Sequence, residues 1–252
     1  MSDQLLDFNG LVAVVTGGSR GLGKEMALAM AERGADVVVT SRKAEACEEV
    51  AKQIEAKGRQ SMAYGCHIGQ WDEIQGLIDA TYTRFGKIDI LINNAGMSPL
   101  YDKLSEVPEA LFDKVIDVNL KGPFRVMAYA GERMAESGGG SIINISSTAS
   151  MYPSPNAAAY GAAKAGLNSL TQSFAHALGP GVRVNCIVAG PFLTDISKAW
   201  DLEAFEASQE GNRAIPRGGD PKEIVGAALY FASPSSSFTT GTLLTVDGGG
   251  RG

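Results

Sequence analysis

Histidine and cysteine are scarce in this chain of 252 residues: His67 and His176 are the two histidines, and Cys47, Cys66 and Cys186 lie far apart with no Cys-x-x-Cys pair. A tetrahedral zinc site and a disulfide framework are thereby excluded, and a reduced, cytoplasmic setting is expected. Runs of positive charge are missing too, none being longer than Arg42-Lys43, and the formal net charge is −6. Nucleic acid, anionic membranes and acidic macromolecules are therefore not expected as partners. Long apolar stretches are also lacking: Met1-Ser2-Asp3-Gln4-Leu5-Leu6-Asp7 carries no lysine or arginine, and the longest apolar run near it is Leu11 to Val15. Neither secretion nor membrane insertion is expected.

What is present is ordinary for a globular protein, with 44% apolar and 20% charged residues, and 31 glycines that point to tight turns or close backbone approaches. The length fits one domain over 1–252. Short β-branched runs alternate with longer stretches of helical period. The expected strands are Leu11–Thr16, Asp36–Thr40, Gln60–Gly65, Ile88–Asn93, Ser141–Ser146, Arg183–Val188 and Leu243–Val246. The expected helices are Gly21–Arg33, Ala44–Lys57, Trp71–Phe85, Pro108–Ser137, Ala157–Leu178 and Pro221–Ala232. Strands this uniformly apolar are buried on both faces, so the class is α/β with a doubly wound parallel sheet. Thr194 to Gly219 falls outside the alternation, after the sixth strand, where such sheets bind ligands; it is the expected substrate lid.

The first strand runs into Thr16-Gly17-Gly18-Ser19-Arg20-Gly21-Leu22-Gly23 and then a helix. Glycines at Gly17, Gly21 and Gly23 let backbone approach a pyrophosphate, and the free N–H groups at the helix start stabilise it. The alternative is a glycine-rich turn that merely packs a helix on the sheet. The missing Gly-Lys-Ser/Thr ending excludes a Walker loop. Use of NAD would call for Asp or Glu at the end of the second strand, roughly 20 residues beyond the glycines. That position reads Thr40-Ser41-Arg42-Lys43, and Asp36 sits at the strand's entry. Arg20 and Arg42, with Ser41, suit a 2′-phosphate, so NADP is expected rather than NAD.

Further along, Tyr160 and Lys164 are four residues apart with Ser147 thirteen upstream. An ammonium one helical turn from a phenol favours the phenolate, and a nearby hydroxyl can hold a reacting oxygen. Chance alone would supply roughly 0.3 such Tyr/Lys pairs, so the surrounding residues decide.

With Thr16-Gly-x-x-x-Gly-x-Gly23, Asn93-Asn94-Ala95-Gly96, Asn119, Ser147, Tyr160-x-x-x-Lys164 and Val246-Asp247-Gly248-Gly249 in this order, the chain resembles the short-chain dehydrogenases/reductases over nearly its whole length. The resemblance implies a seven-stranded parallel Rossmann sheet in the order 3-2-1-4-5-6-7 and commonly a homotetramer. It implies Tyr160 as general acid/base, Lys164 lowering its pKa and holding the nicotinamide ribose, Ser147 on the substrate oxygen, and Asn119 positioning a water beside Lys164. Asn94, Ala95 and Gly96 would flank the adenosine ribose, His67 and Ile68 the adenine, and Gly190, Phe192 and Thr194 the nicotinamide side. Ala189 stands where proline is usual, and His67 where an Asp commonly accepts from the adenine amino group.

The expected activity is reversible hydride transfer between NADP(H) and a small ketone or secondary alcohol. A 3-oxoacyl-carrier-protein reductase ranks second, because Ala135 to Gly140 and Gly179 to Gly181 lack the basic residues an acidic carrier would meet. A non-catalytic dinucleotide sensor is the alternative from another class. The acids and aromatics of the lid, Asp195, Trp200, Asp201, Glu203, Phe205, Glu206 and Glu210, read as a solvated face and helix packing, which favours a neutral or apolar ketone.

Overall fold

The computed structural model describes residues 4–194, 197 and 202–250. Strands β1 Val12–Thr16, β2 Asp36–Ser41, β3 Ser61–Gly65, β4 Ile90–Asn93, β5 Gly140–Ser147, β6 Val182–Ala189 and β7 Leu243–Val246 form one sheet, ordered β3-β2-β1-β4-β5-β6-β7. Every pairing is parallel. Alternation along the strands splits the core in two, as the period of a strand requires. Ala13, Val15, Val37, Val39, Ile90, Ile92 and Ile143 face one layer, built from α1 Gly21–Glu32, α2 Ala44–Glu55 and α8 Val225–Ala232. Val14, Val38, Leu91 and Ile142 face the other, built from α3 Trp71–Phe85, α5 Gly122–Glu136 and α6 Ala158–Leu178.

The helix expected over Pro108–Ser137 is interrupted. It consists of α4 Glu109–Ile116, a π-helical turn Asp117–Lys121, and α5. A π turn carries one extra residue and rotates the helix beyond it, a local geometry that hydrophobic period does not encode. The helix expected over Pro221–Ala232 begins as a 3-10 turn, Pro221–Ile224, with Asp220 and Glu223 closing a capping box.

The segment expected as a lid is closed at its base by main-chain bonds: Leu193 N donates to Gly219 O at 2.8 Å and Gly219 N to Pro191 O at 2.9 Å. Within it lies α7 Leu202–Gln209, on which Glu203 and Glu206 are exposed. Asp195, Trp200 and Asp201 lie outside the described residues. Among the described residues no helix is long and apolar enough to cross a membrane. The order of strands reverses at β1, whose neighbours are β2 and β4, so a crevice opens at the carboxyl ends of these strands. Thr16, Ser41, Asn93 and Ser147 end β1, β2, β4 and β5 there.

Candidate active site

Ser147 is the last residue of β5, and its Oγ accepts from Ala149 N at 3.2 Å. That leaves the hydroxyl hydrogen for the Tyr160 phenol, whose pKa the Ser147 hydroxyl pulls down. Tyr160 and Lys164 sit one turn apart on α6 and so on the same face. The next residue, Gly161, is what lets α6 come this close: a Cβ there would lie 2.8 Å from Ala149 O. Its need was not visible in the sequence.

Lys164 is 3% exposed. Its Nζ donates to Ile145 O at 2.8 Å and stands 5.8 Å from the centroid of the Tyr160 ring. Burial pushes the ammonium down to about 8. Burial also raises the Tyr160 phenol above its ordinary value, and the opposing pull comes from the Ser147 hydroxyl. The expectation that Lys164 lowers the phenol's pKa is therefore corrected, because the ammonium addresses a strand carbonyl and the downward pull on the phenol comes from Ser147.

Asn119 is fully buried in the π turn. Its Nδ2 donates to Met97 O and Val115 O, each at 2.9 Å, and its Oδ1 accepts from Met97 N at 3.2 Å. Both amide hydrogens are thus committed to carbonyls, so the side chain anchors backbone, and only the second lone pair of Oδ1 is left for a water. It does face Lys164 across Gly96: a Cβ on Gly96 would be 3.0 Å from Asn119 Oδ1 and 3.5 Å from Lys164 Nζ. The strap anchored at Met97 is tied at its other end to the start of α6, where Tyr101 N donates to Asn156 O and Ala159 N donates to Tyr101 Oη, each at 3.2 Å. Nothing in the sequence marked Tyr101.

The glycine turn forms a tight cradle. Gly17 and Gly21 have φ of +64° and +53°, in the left-handed region. A Cβ on Gly23 would lie 2.3 Å from Gly17 O. Arg20, the N-cap of α1, makes no side-chain cap, so the first N–H groups of the helix stay directed at the turn. Asn94 fastens the cradle: its Nδ2 donates to Thr16 O and Gly17 O, while Thr16 Oγ1 accepts from Asn94 N and Ala95 N. The side chain expected beside the ribose is thus spent on the turn, and Thr16 joins the site. Thr194 packs on this turn, its Cγ2 3.4 Å from where a Cβ of Gly21 would be. Ser19, Arg20, Gly21 and Thr194 line one cavity of about 560 Å³ that reaches Leu202 of the lid. Gly23→Ala should weaken dinucleotide binding about 10- to 100-fold by forcing the turn apart. Gly226→Ala, whose Cβ meets nothing within 4 Å, is the control in calorimetric titrations of both variants.

Arg42, just past the end of β2, and Arg20, at the N-cap of α1, are both exposed. Asp36, at the opposite end of the strand, is paired with Arg59 at 2.9 Å. Ser41 Oγ donates to Lys43 O at 3.1 Å and contacts Cys47 Sγ at 3.1 Å. Its single hydrogen is therefore used at the start of α2, which corrects its expected role as a phosphate donor. His67 Nδ1 accepts from Gly69 N at 3.1 Å, so the neutral ring carries its proton on Nε2 and offers adenine a donor rather than the expected acceptor. Ile68 and Phe192 are buried in the cores, which leaves their backbone to a ligand, while Leu22 packs against one core and stays partly exposed. Gly190 N donates to Val246 O at 2.9 Å, and a Cβ there would lie 2.6 Å from Asp247 Cα, so this glycine joins β6 to the exit of β7.

One expectation was misplaced in space. Gly140 begins β5 and pairs with Val182 at the start of β6, seven residues and about 23 Å from Ser147. Ala135 to Gly140 and Gly179 to Gly181 thus lie at the opposite ends of β5 and β6 from the crevice, and their lack of basic residues carries no information about a carrier docking at the mouth.

The cradle and the free N–H groups at its helix fit a dinucleotide. The chain belongs to the short-chain dehydrogenase/reductase family, an oxidoreductase class whose members bind a nicotinamide dinucleotide. Its residues 17–250 match the family model described as enoyl-(acyl carrier protein) reductase. It is 35% identical over 246 residues to the 7alpha-hydroxysteroid dehydrogenase of Escherichia coli, covering 97% of this chain and 96% of that protein. It is likewise 35% identical over 240 residues to dehydrogenase/reductase SDR family member 4 of Bos taurus, covering 94% and 86%. Among solved structures, a 7 alpha-hydroxysteroid dehydrogenase complexed with NADH and 7-oxo glycochenodeoxycholic acid superposes with a TM-score of 0.94 at 35% identity, over 99% of this chain and 98% of that one. NAD+-bound xylitol dehydrogenase gives 0.89 at 31% identity, over 96% and 99%.

Proposed function

We propose that the protein is an NADP(H)-dependent oxidoreductase that interconverts a neutral, apolar ketone and its secondary alcohol, with Tyr160 as general acid/base. The observation that carries this is the convergence of Ser147, Tyr160 and Lys164 at the carboxyl end of β5, beside the glycine cradle. In the reducing direction Tyr160 Oη gives its proton to the substrate oxygen while the Ser147 hydroxyl donates to the same atom, stabilising the charge that develops there. When bound, the nicotinamide supplies the hydride to the substrate carbon. Of the three hydrogens on Lys164 Nζ, one goes to Ile145 O; the others are available to hold the nicotinamide ribose. With a pKa of about 8, Lys164 can also exchange protons near neutrality, and Asn119 Oδ1 is placed to hold the water that resupplies it.

Leu100, Met151 and Tyr152, next to the strap and to the turn after Ser147, are 71%, 48% and 42% exposed, which supports an apolar substrate. A panel of apolar ketones, sugars and a carrier-linked 3-oxoacyl substrate, followed by NADPH absorbance, tests this reading. Turnover of the carrier-linked substrate alone would overturn it.

The choice of NADP over NAD is supported by Arg42, exposed just past β2 where an acid would otherwise stand, and by exposed Arg20 in the glycine turn. The NADH- and NAD+-bound relatives make this the point to measure. Arg42→Asp should shift the ratio of NADPH to NADH affinity about 10- to 100-fold toward NADH, the magnitude of one charge-assisted hydrogen bond. An unchanged ratio would reject the phosphate assignment.

A further inference from the structure

We propose that Asn168, acting through Ser150, is a positioning residue that fixes Ser147 for its contact with Tyr160. The proposal rests on the roles given to Ser147 and Tyr160 above. Tyr160, Lys164 and Asn168 succeed one another at intervals of four on α6 and therefore share a face turned to β5. Asn168 extends that face by one more turn. Its Nδ2 donates to Ser150 Oγ at 2.9 Å, and Ser150 Oγ donates to Ser147 O at 2.6 Å. Behind it, the thiol of buried Cys186 on β6 donates to Asn168 Oδ1 at 3.6 Å.

All three donors point the same way, from Cys186 through Asn168 and Ser150 to the main chain of Ser147. A chain in which each oxygen accepts from one neighbour while the next hydrogen is already committed has one orientation, and its bonds polarise one another. It ends where β5 gives way to the 3-10 turn Thr148–Ser150. Beyond that turn the chain runs out to exposed Met151 and Tyr152. The Ser150 bond thus ties the end of β5 to the helix that carries Tyr160. The Ser147 hydroxyl is the group that opposes the upward shift of the Tyr160 phenol, so a displaced Ser147 should be read directly in that phenol's titration.

The experiment uses the full chain with ring-labelled tyrosine, the Tyr160 signal being the one lost in Tyr160→Phe. Ser150→Ala and Asn168→Leu should each raise the Tyr160 midpoint by about half a unit and lower kcat about tenfold. The Kd for NADPH should stay within about twofold, since neither residue touches the cradle. Ser150→Thr, which keeps the hydroxyl, should restore the midpoint. An unmoved midpoint in a variant with wild-type Tm overturns the proposal even if kcat falls, because general loosening slows turnover without acting on the Ser147–Tyr160 contact. The titration needs no substrate. Failure of the wild-type protein to turn over any alcohol or ketone would therefore sink the proposed activity, while the midpoints would still decide the role of Asn168.

Discussion

Tyr160→Phe should lower kcat about a thousandfold, the middle of the range for removing a general acid/base, while the Kd for NADPH stays within about threefold. The substitution deletes one oxygen. The ring that fills the space between Ser147 and Lys164 remains, as do Lys164 with its bond to Ile145 O and the cradle around Gly17 and Gly23. In the proposed mechanism, what disappears is the proton that reaches the substrate oxygen as the hydride arrives at carbon. Ser147 cannot replace it, since a serine hydroxyl hydrogen-bonds the oxygen without giving up its proton near neutral pH. Stopped-flow turnover, alongside a fluorescence titration of NADPH, measures the two quantities separately. Undiminished turnover would overturn the mechanism; loss of nucleotide binding would show that Tyr160 shapes the cofactor site instead.

Lys164→Met should abolish most turnover and at the same time make the protein more stable. The folded chain holds this ammonium at a pKa of about 8, against 10.5 for the free side chain, with burial the cause. A base whose folded pKa is depressed costs stability wherever it is charged in both states. The cost is therefore full below about 8, fades as pH rises through the interval between the two values, and is absent above 10.5. At neutral pH it comes to about 3 kcal/mol. Methionine fills nearly the same volume without the charge, and the lost hydrogen bond to Ile145 O returns about 1 kcal/mol. The expected net gain is about 2 kcal/mol in denaturant unfolding near neutrality, turning into a loss of about 1 kcal/mol at high pH, where only the missing hydrogen bond remains. Activity should fall about a hundredfold or more, because both the ribose donors and the proton exchange are gone. A variant less stable than wild type at neutral pH would show that Lys164 contributes to the fold.

The parts of this site legible in the sequence are those where a residue type has no substitute. The glycine turn was readable because a Cβ cannot stand 2.3 Å from a carbonyl oxygen, and the five inner strands because burial on both faces leaves a largely apolar run. Ser147, Tyr160 and Lys164 were readable as a set through spacing along a strand end and a helix. Direction and partner were not. Ser41 and Asn94 are polar residues at expected positions, but their hydrogens are spent on backbone, and only coordinates show where a hydrogen goes. His67 illustrates the same limit, since the bond from Gly69 N decides the tautomer. The π turn at Asn119 and the location of Gly140 at the entry end of β5 escaped because the phase shift of one extra residue is too small to read in a hydrophobic period and the other depends on which end of a strand faces the crevice.

The strap from Met97 to Tyr101 has an implication for anyone who would reshape selectivity. One terminus is gripped by buried Asn119 and the other by the first turn of the helix bearing Tyr160. Residues Ser98, Pro99 and Leu100 between these grips can be recoded as a cassette, because their backbone path is set from outside themselves. Changes at Met97 or Tyr101 would instead shift the frame on which the acid/base group is mounted. Selectivity and rate should therefore vary independently in libraries confined to the three central positions, and together once either anchor is randomised.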